Sequence, residues 1–140
     1  MIFVDASVLA AIINEEPDAA DLVLRLGAAG TVFVSPMVRF EAVLAVARAS
    51  SAMTGRPVTA ETLLKAGDLV DALIGEFDAQ FVDLTAQTGT DALDAARRYG
   101  KVVRHPARLN LGDCFAYACA KHLGAPLLYK GGDFAQTDLA

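Results

Sequence analysis

With 140 residues, two cysteines and a formal net charge of -5, the chain has room for one core-bearing domain. That charge argues against a protein that coats nucleic acid non-specifically, a mode of binding that runs on Lys and Arg. The hydrophobic fraction is high at 54%, yet no uninterrupted apolar stretch approaches the roughly 18 residues a membrane span requires; the surplus of Ala, Val and Leu predicts one cytoplasmic domain, residues 1–140, whose apolar surface is covered by a partner or a second copy.

The chain opens directly into Ile2-Phe3-Val4, with no basic segment and no small-residue cleavage site, so no signal peptide is expected. This unspaced β-branched and aromatic run predicts a strand buried on both faces, as in a parallel sheet. Asp5 and Ser7 follow at its carboxyl end. In open α/β sheets that edge is where ligands bind, although either residue could equally N-cap the helix predicted over Ser7 to Asn14. Glu15 to Asp18 read as a turn, with Asp18 as cap of a helix over about Ala19 to Leu26.

Val32-Phe33-Val34 repeats the first strand, and Ser35-Pro36 is a strong helix start, a capping hydroxyl followed by proline at the first helical position. The helix runs to about Met53, and three-and-four spacing puts Val38, Glu41, Ala42 and Ala45 along one side. Thr59 caps the next helix, whose apolar face is expected to carry Leu63, Leu64, Leu69, Val70, Leu73 and Ile74. A third strand lies within Gln80 to Leu84, centred on Phe81 and Val82, followed by a helix from about Thr88 to Tyr99 that Gly100 stops. Lys101 to Leu109 read as an irregular loop. Asn110 caps a small-residue helix over Cys114 to His122; its two cysteines lie on different faces, which suits neither a disulfide nor a zinc site. Leu127 to Tyr129 form a fourth strand, and Lys130 to Phe134 a loop. Strands alternating with helices predict an α/β fold of three layers, with a short, mostly parallel sheet of four or five strands.

Four acids stand apart because each lies among apolar or small residues at an element boundary or on a packing face: Asp5, Glu41, Asp113 and Asp133. An unpaired buried carboxylate costs several kcal/mol, so four near one core call for something to neutralise them. In a parallel sheet all four can reach the carboxyl edge. Oxygen ligands without His or Cys favour Mg²⁺, with Mn²⁺ as a substitute, over zinc. Such an ion keeps several waters and binds phosphate oxygens, which points to phosphodiester hydrolysis by metal-activated water. The competing readings are a surface ion pair of Glu41 with Arg39 or Arg48, a first-turn role for Asp113, and an ordinary turn for Asp133. Arg97, Arg98, Lys101, Arg104, His105 and Arg108 lead into Asn110 and Asp113; they are either contacts to a phosphodiester backbone or a solvated helix end.

Val4-Asp5-Ala6-Ser7, the isolated Glu41, Asn110-Leu111-Gly112-Asp113-Cys114-Phe115-Ala116 and Leu128-Tyr129-Lys130-Gly131-Gly132-Asp133-Phe134, in this order and spacing, resemble PIN-domain ribonucleases, specifically VapC toxins of type II toxin-antitoxin pairs. The resemblance spans essentially the full chain. It implies a Mg²⁺-dependent endoribonuclease in which Asp5, Glu41, Asp113 and Asp133 bind or organise the metal and Ser7 and Asn110 give polar support. It also implies a homodimer silenced by a VapB-type antitoxin laid over the site. Gly132 departs from the pattern, standing where such proteins often carry a polar or acidic residue. Three other readings compete: a PIN nuclease that is no toxin, a non-catalytic PIN interaction module, and a phosphohydrolase with Asp5 as nucleophile. The last wants a further Asp where Ser7 stands.

Overall fold

The computed structural model describes residues 1–139. Four strands, β1 (Ile2–Val4), β2 (Val32–Val34), β3 (Gln80–Phe81) and β4 (Leu127–Leu128), form one sheet in the order β3-β2-β1-β4. Every pairing is parallel, with Phe3 opposite both Phe33 and Leu127. Among the described residues the sheet has four strands, not five. Six α-helices accompany it: α1 (Ala6–Ile13), α2 (Ala19–Ala28), α3 (Pro36–Thr54), α4 (Ala60–Glu76), α5 (Ala86–Tyr99) and α6 (Leu111–Leu123). None is long and apolar enough to cross a membrane.

Strands β1, β2 and β4 carry the buried residues that their unspaced apolar runs predict. Phe3, Val4, Val34 and Leu128 are wholly inaccessible to solvent, each worth about 1.5–3 kcal/mol relative to exposure. Helix α6 lies along β1 and β4 and packs against α5, while α1 packs against α2, α3 and α4. Alanine fills most of the inner face of α6, where Ala116, Ala118 and Ala120 are buried beside Cys114 and Cys119. The backbones of α6 and the sheet therefore approach closely, which brings the first turn of α6 beside the end of β1.

Helix starts follow the capping chemistry. The Ser35 hydroxyl accepts from the Val38 N–H at 3.2 Å, and Thr59 and Thr85 each form a reciprocal box with the threonine three residues on. Thr62 thus does the work expected of a glutamate, and α5 begins earlier than Thr88.

Other expectations need correction. Asp18 makes no capping bond; its carboxylate accepts from Lys130 Nζ instead. In α4, Leu64 and Leu69 are exposed and the buried side is Ala66, Val70, Leu73 and Ile74, because α4 meets its neighbours along a stripe narrower than the run of leucines. Edge strand β3 ends at Phe81, so Val82 contributes one further ladder bond, its N–H donating to the Val34 carbonyl at 2.8 Å. The stretch after α5 is more ordered than a loop: a 3-10 turn over Lys101–Val103 is followed by a parallel bridge between Gly100 and Leu109.

Candidate active site

Strand β1 and its neighbour β4 end at the same edge of the parallel sheet, where they deliver Asp5 and, after β4, the Lys130-to-Phe134 segment. Asp5 is buried and N-caps α1, its Oδ2 accepting from the Ser7 N–H at 2.9 Å and the Ser7 hydroxyl at 2.5 Å. Capping α1 therefore does not take Asp5 away from the cleft, which it also lines. The Ser7 hydroxyl in turn accepts from the Lys130 N–H at 3.0 Å, tying the end of β4 to the end of β1. Burial raises the Asp5 pKa, Ser7 opposes that through its hydrogen bonds, and Asp133 adds to it by repulsion.

Asp113 lies in the first turn of α6, where its Oδ2 accepts from the Asn110 N–H at 2.8 Å while Asn110 Oδ1 accepts from the Asp113 N–H at 2.9 Å. This reciprocal box uses one carboxylate oxygen, so Asn110 does not free Asp113 from capping but shares the task with it. Burial lifts the Asp113 pKa to about 6, against the pull of the Asn110 N–H and with added repulsion from Asp5 and Asp133. Glu41, in the second turn of α3, makes no ion pair with Arg39 or Arg48. Arg39 is held instead by both oxygens of Asp71, at 2.6 and 2.8 Å. Burial, then Asp5, then Asp113 raise Glu41 to about 7. Asp133 is exposed at the start of the 3-10 turn Asp133–Gln136.

These four acids line one cleft of about 400 Å³, together with Ser7, Asn110, Met37, Phe40, Arg48, Lys130 and Phe134. Repulsion links them: Asp5 and Asp113 each couple to the other three. Among the described residues no three acid, His or Cys side chains close into a ready-made coordination cage. The arrangement suits a hard cation that keeps most of its water and takes one or two carboxylates directly. The oxygen-only donor set and the charge crowding fit Mg²⁺ or Mn²⁺.

The arginine-rich stretch is not part of this cleft. Arg97 pairs with Asp94 at 2.6 Å, and Arg98 donates to Tyr99 and Tyr117 hydroxyls at 2.6 and 3.2 Å. Arg104 and Arg108 sit on exposed left-handed turn positions, and Lys101 borders a separate apolar hollow between α5 and α6. His105 accepts from the Ala107 N–H at 3.1 Å and packs edge-on against Tyr99, a local structural role. The cations that do line the cleft are Lys130 and Arg48, the latter expected only as a surface partner for Glu41. Lys130 Nζ is paired with Glu16 and with Asp18, the latter at 2.7 Å. A signal for Lys130 lay in its place directly after β4, in the same loop as Asp133.

A short parallel sheet with helices on its flanks and a cluster of carboxylates at its carboxyl edge defines an α/β protein with an acidic cleft at the end of its strands. The PIN domain family model matches residues 2–139. The chain is 52% identical over 141 residues to VapC ribonuclease R02377 of Rhizobium meliloti, covering 99% of both. It is 36% identical over 137 residues to ribonuclease VapC30 of Mycobacterium tuberculosis, covering 98% of this chain and 95% of the relative. It therefore belongs to the PIN-domain family, within the VapC group. Its fold matches the crystal structure of Mycobacterium tuberculosis VapC20, described as a Sarcin-Ricin loop cleaving toxin, with a TM-score of 0.69, 20% identity and coverage of 96% of this chain and 93% of that one.

Proposed function

We infer that the protein is a divalent-metal-dependent endoribonuclease acting as the toxin of a toxin-antitoxin pair, its 140 residues working as a single PIN domain. The observation that carries this is the convergence of Asp5, Glu41, Asp113 and Asp133 on one cleft, in a chain 52% identical to a VapC ribonuclease.

Asp5 and Asp113, the two buried members, would hold the ion, with Glu41 and Asp133 placed to accept hydrogen bonds from its waters. Bound there, Mg²⁺ or Mn²⁺ supplies an activated water and neutralises charge on a phosphodiester. Ser7 fixes the Asp5 carboxylate through its hydroxyl, and Asn110 fixes Asp113 through its N–H. Both orient ligands in the manner of outer-shell partners. Arg48, which makes no ion pair among the described residues, lies in the cleft where a phosphate would otherwise meet only negative charge. Arg97, Arg98, Lys101, Arg104 and Arg108 are left with at most a peripheral part in holding RNA.

The reading extends to a cytoplasmic homodimer silenced by a VapB-type antitoxin. Exposed Leu93, Val102 and Leu111, at 72%, 81% and 69% accessibility, border a largely apolar hollow next to the cleft and supply a surface for such contacts. Size-exclusion chromatography of the purified protein should give a dimer mass.

Purified protein should cleave RNA with Mg²⁺ or Mn²⁺ and stop in chelator, and Asp5→Asn and Asp113→Asn should each remove most cleavage while retaining the fold. Cleavage undiminished in both variants would refute the assignment.

A further inference from the structure

Gly112 is the second residue of α6 and buried. A Cβ built on it would fall 1.9 Å from Glu41 Oε1, 2.0 Å from Oε2 and 2.1 Å from Cδ. The Glu41 carboxylate thus occupies the space that any side chain at position 112 would fill. The requirement for glycine is not conformational, since Gly112 lies within a regular helix and has no left-handed φ. Nine other glycines, among them Gly27, Gly67, Gly75, Gly89 and Gly132, have nothing within 4 Å of an added Cβ, and at Gly100 it would meet only the backbone of Ala96, so Gly112 alone stands where another residue's side chain takes the place of its own.

Glu41 has no hydrogen-bonding or ion-pair partner among the described residues to fix its position, and it shares the cleft with the like-charged Asp5 and Asp113. What seats it is the shape of the first turn of α6. We propose that Gly112 is a positioning residue: its missing side chain lets the Glu41 carboxylate lie against α6 beside Asp113, and so sets how many acidic oxygens face the bound cation. This rests on the metal-dependent reading above, and it deepens it by assigning a role to a residue that has no polar side chain.

An alanine at position 112 leaves the backbone free to stay helical and favours the helix. The Glu41 carboxylate, at the flexible end of its side chain, must then swing away. The test uses the full-length protein and Mn²⁺ alone, followed by the electron paramagnetic resonance of free and bound ion, with thermal melting alongside. Gly112→Ala should melt at or above the wild-type temperature yet bind Mn²⁺ about tenfold more weakly, the scale of losing an organising contact at a metal site. Glu41→Gln should weaken binding to a similar degree, and Gly112→Ala added to Glu41→Gln should weaken it no further. Wild-type affinity in Gly112→Ala, or full additivity of the two changes, would overturn the proposal. Absence of Mn²⁺ binding by the wild type would refute the metal reading itself. The position of Glu41 in a crystal structure of Gly112→Ala decides the inference in that event: a displaced carboxylate supports it, and an unmoved one overturns it.

Discussion

Metal-free, this protein should be destabilised by its own site, and Glu41→Gln should show by how much. Glu41 rises from an ordinary 4.5 to about 7, and at 1.36 kcal/mol per pH unit the ionisation cost would be about 3 kcal/mol if fully expressed. The carboxylate is only half-buried and solvent screens it, so about 1–2 kcal/mol is the expected size. The sign follows from linkage. A carboxylate with a raised folded-state pKa leaves the folded protein holding more protons than the unfolded chain between pH 4.5 and about 7, so stability falls as pH rises through that window. Below it the wild type and Glu41→Gln should differ little in this respect; above it the variant should be more stable by the full amount. For a chain of this length that is a rise in melting temperature of about 3–8 °C. The assay is urea and thermal unfolding followed by circular dichroism at pH 4 and pH 8, in chelator. Adding Mg²⁺ at pH 8 should narrow or invert the difference, because the wild type gains more from the ion. A variant that is equally or less stable than wild type at pH 8 in chelator would refute the claim that Asp5, Glu41 and Asp113 repel one another in a shared cleft.

Three further outcomes are expected. Asp5→Asn keeps an effective N-cap and sheds a buried charge, so its melting temperature should not fall, while cleavage drops by more than the ~10–100-fold that loss of an outer-shell partner costs. Ser7→Ala removes both the bond to Asp5 and the acceptor for the Lys130 N–H; unfolding in urea should show a loss of about 1–2 kcal/mol, with a further upward shift of the Asp5 pKa by carboxyl NMR. Lys130→Met leaves Glu16 and Asp18 unpaired, and because all three side chains are partly solvent-exposed the loss of stability in urea unfolding should be small and shrink at high salt.

The parts of the molecule legible in the sequence are those set by local chemistry. Unspaced apolar runs marked β1 and β2, Ser35-Pro36 and Asn110 marked helix starts, and the surroundings of Asp5, Glu41, Asp113 and Asp133 singled out the residues that the fold gathers into one cleft. What stayed hidden depends on partners distant in the chain. Asp18 looked like a cap because its ion-pair partner, Lys130, lies 112 residues away. Leu64 and Leu69 shared the spacing of buried neighbours, but the width of a helix contact is set by what packs against it. The basic stretch from Arg97 to Arg108 pointed toward Asp113 along the chain but not in space. Gly112 could not be read at all, since what distinguishes it is the side chain of another helix occupying the place of its own.

The most direct test of the shared cleft is anomalous diffraction from crystals soaked in Mn²⁺. A single dominant peak bounded by Asp5, Glu41, Asp113 and Asp133, lost in Asp5→Asn crystals, is the predicted result. A cleft with no anomalous peak, while Mn²⁺ sits elsewhere on the protein, would contradict it.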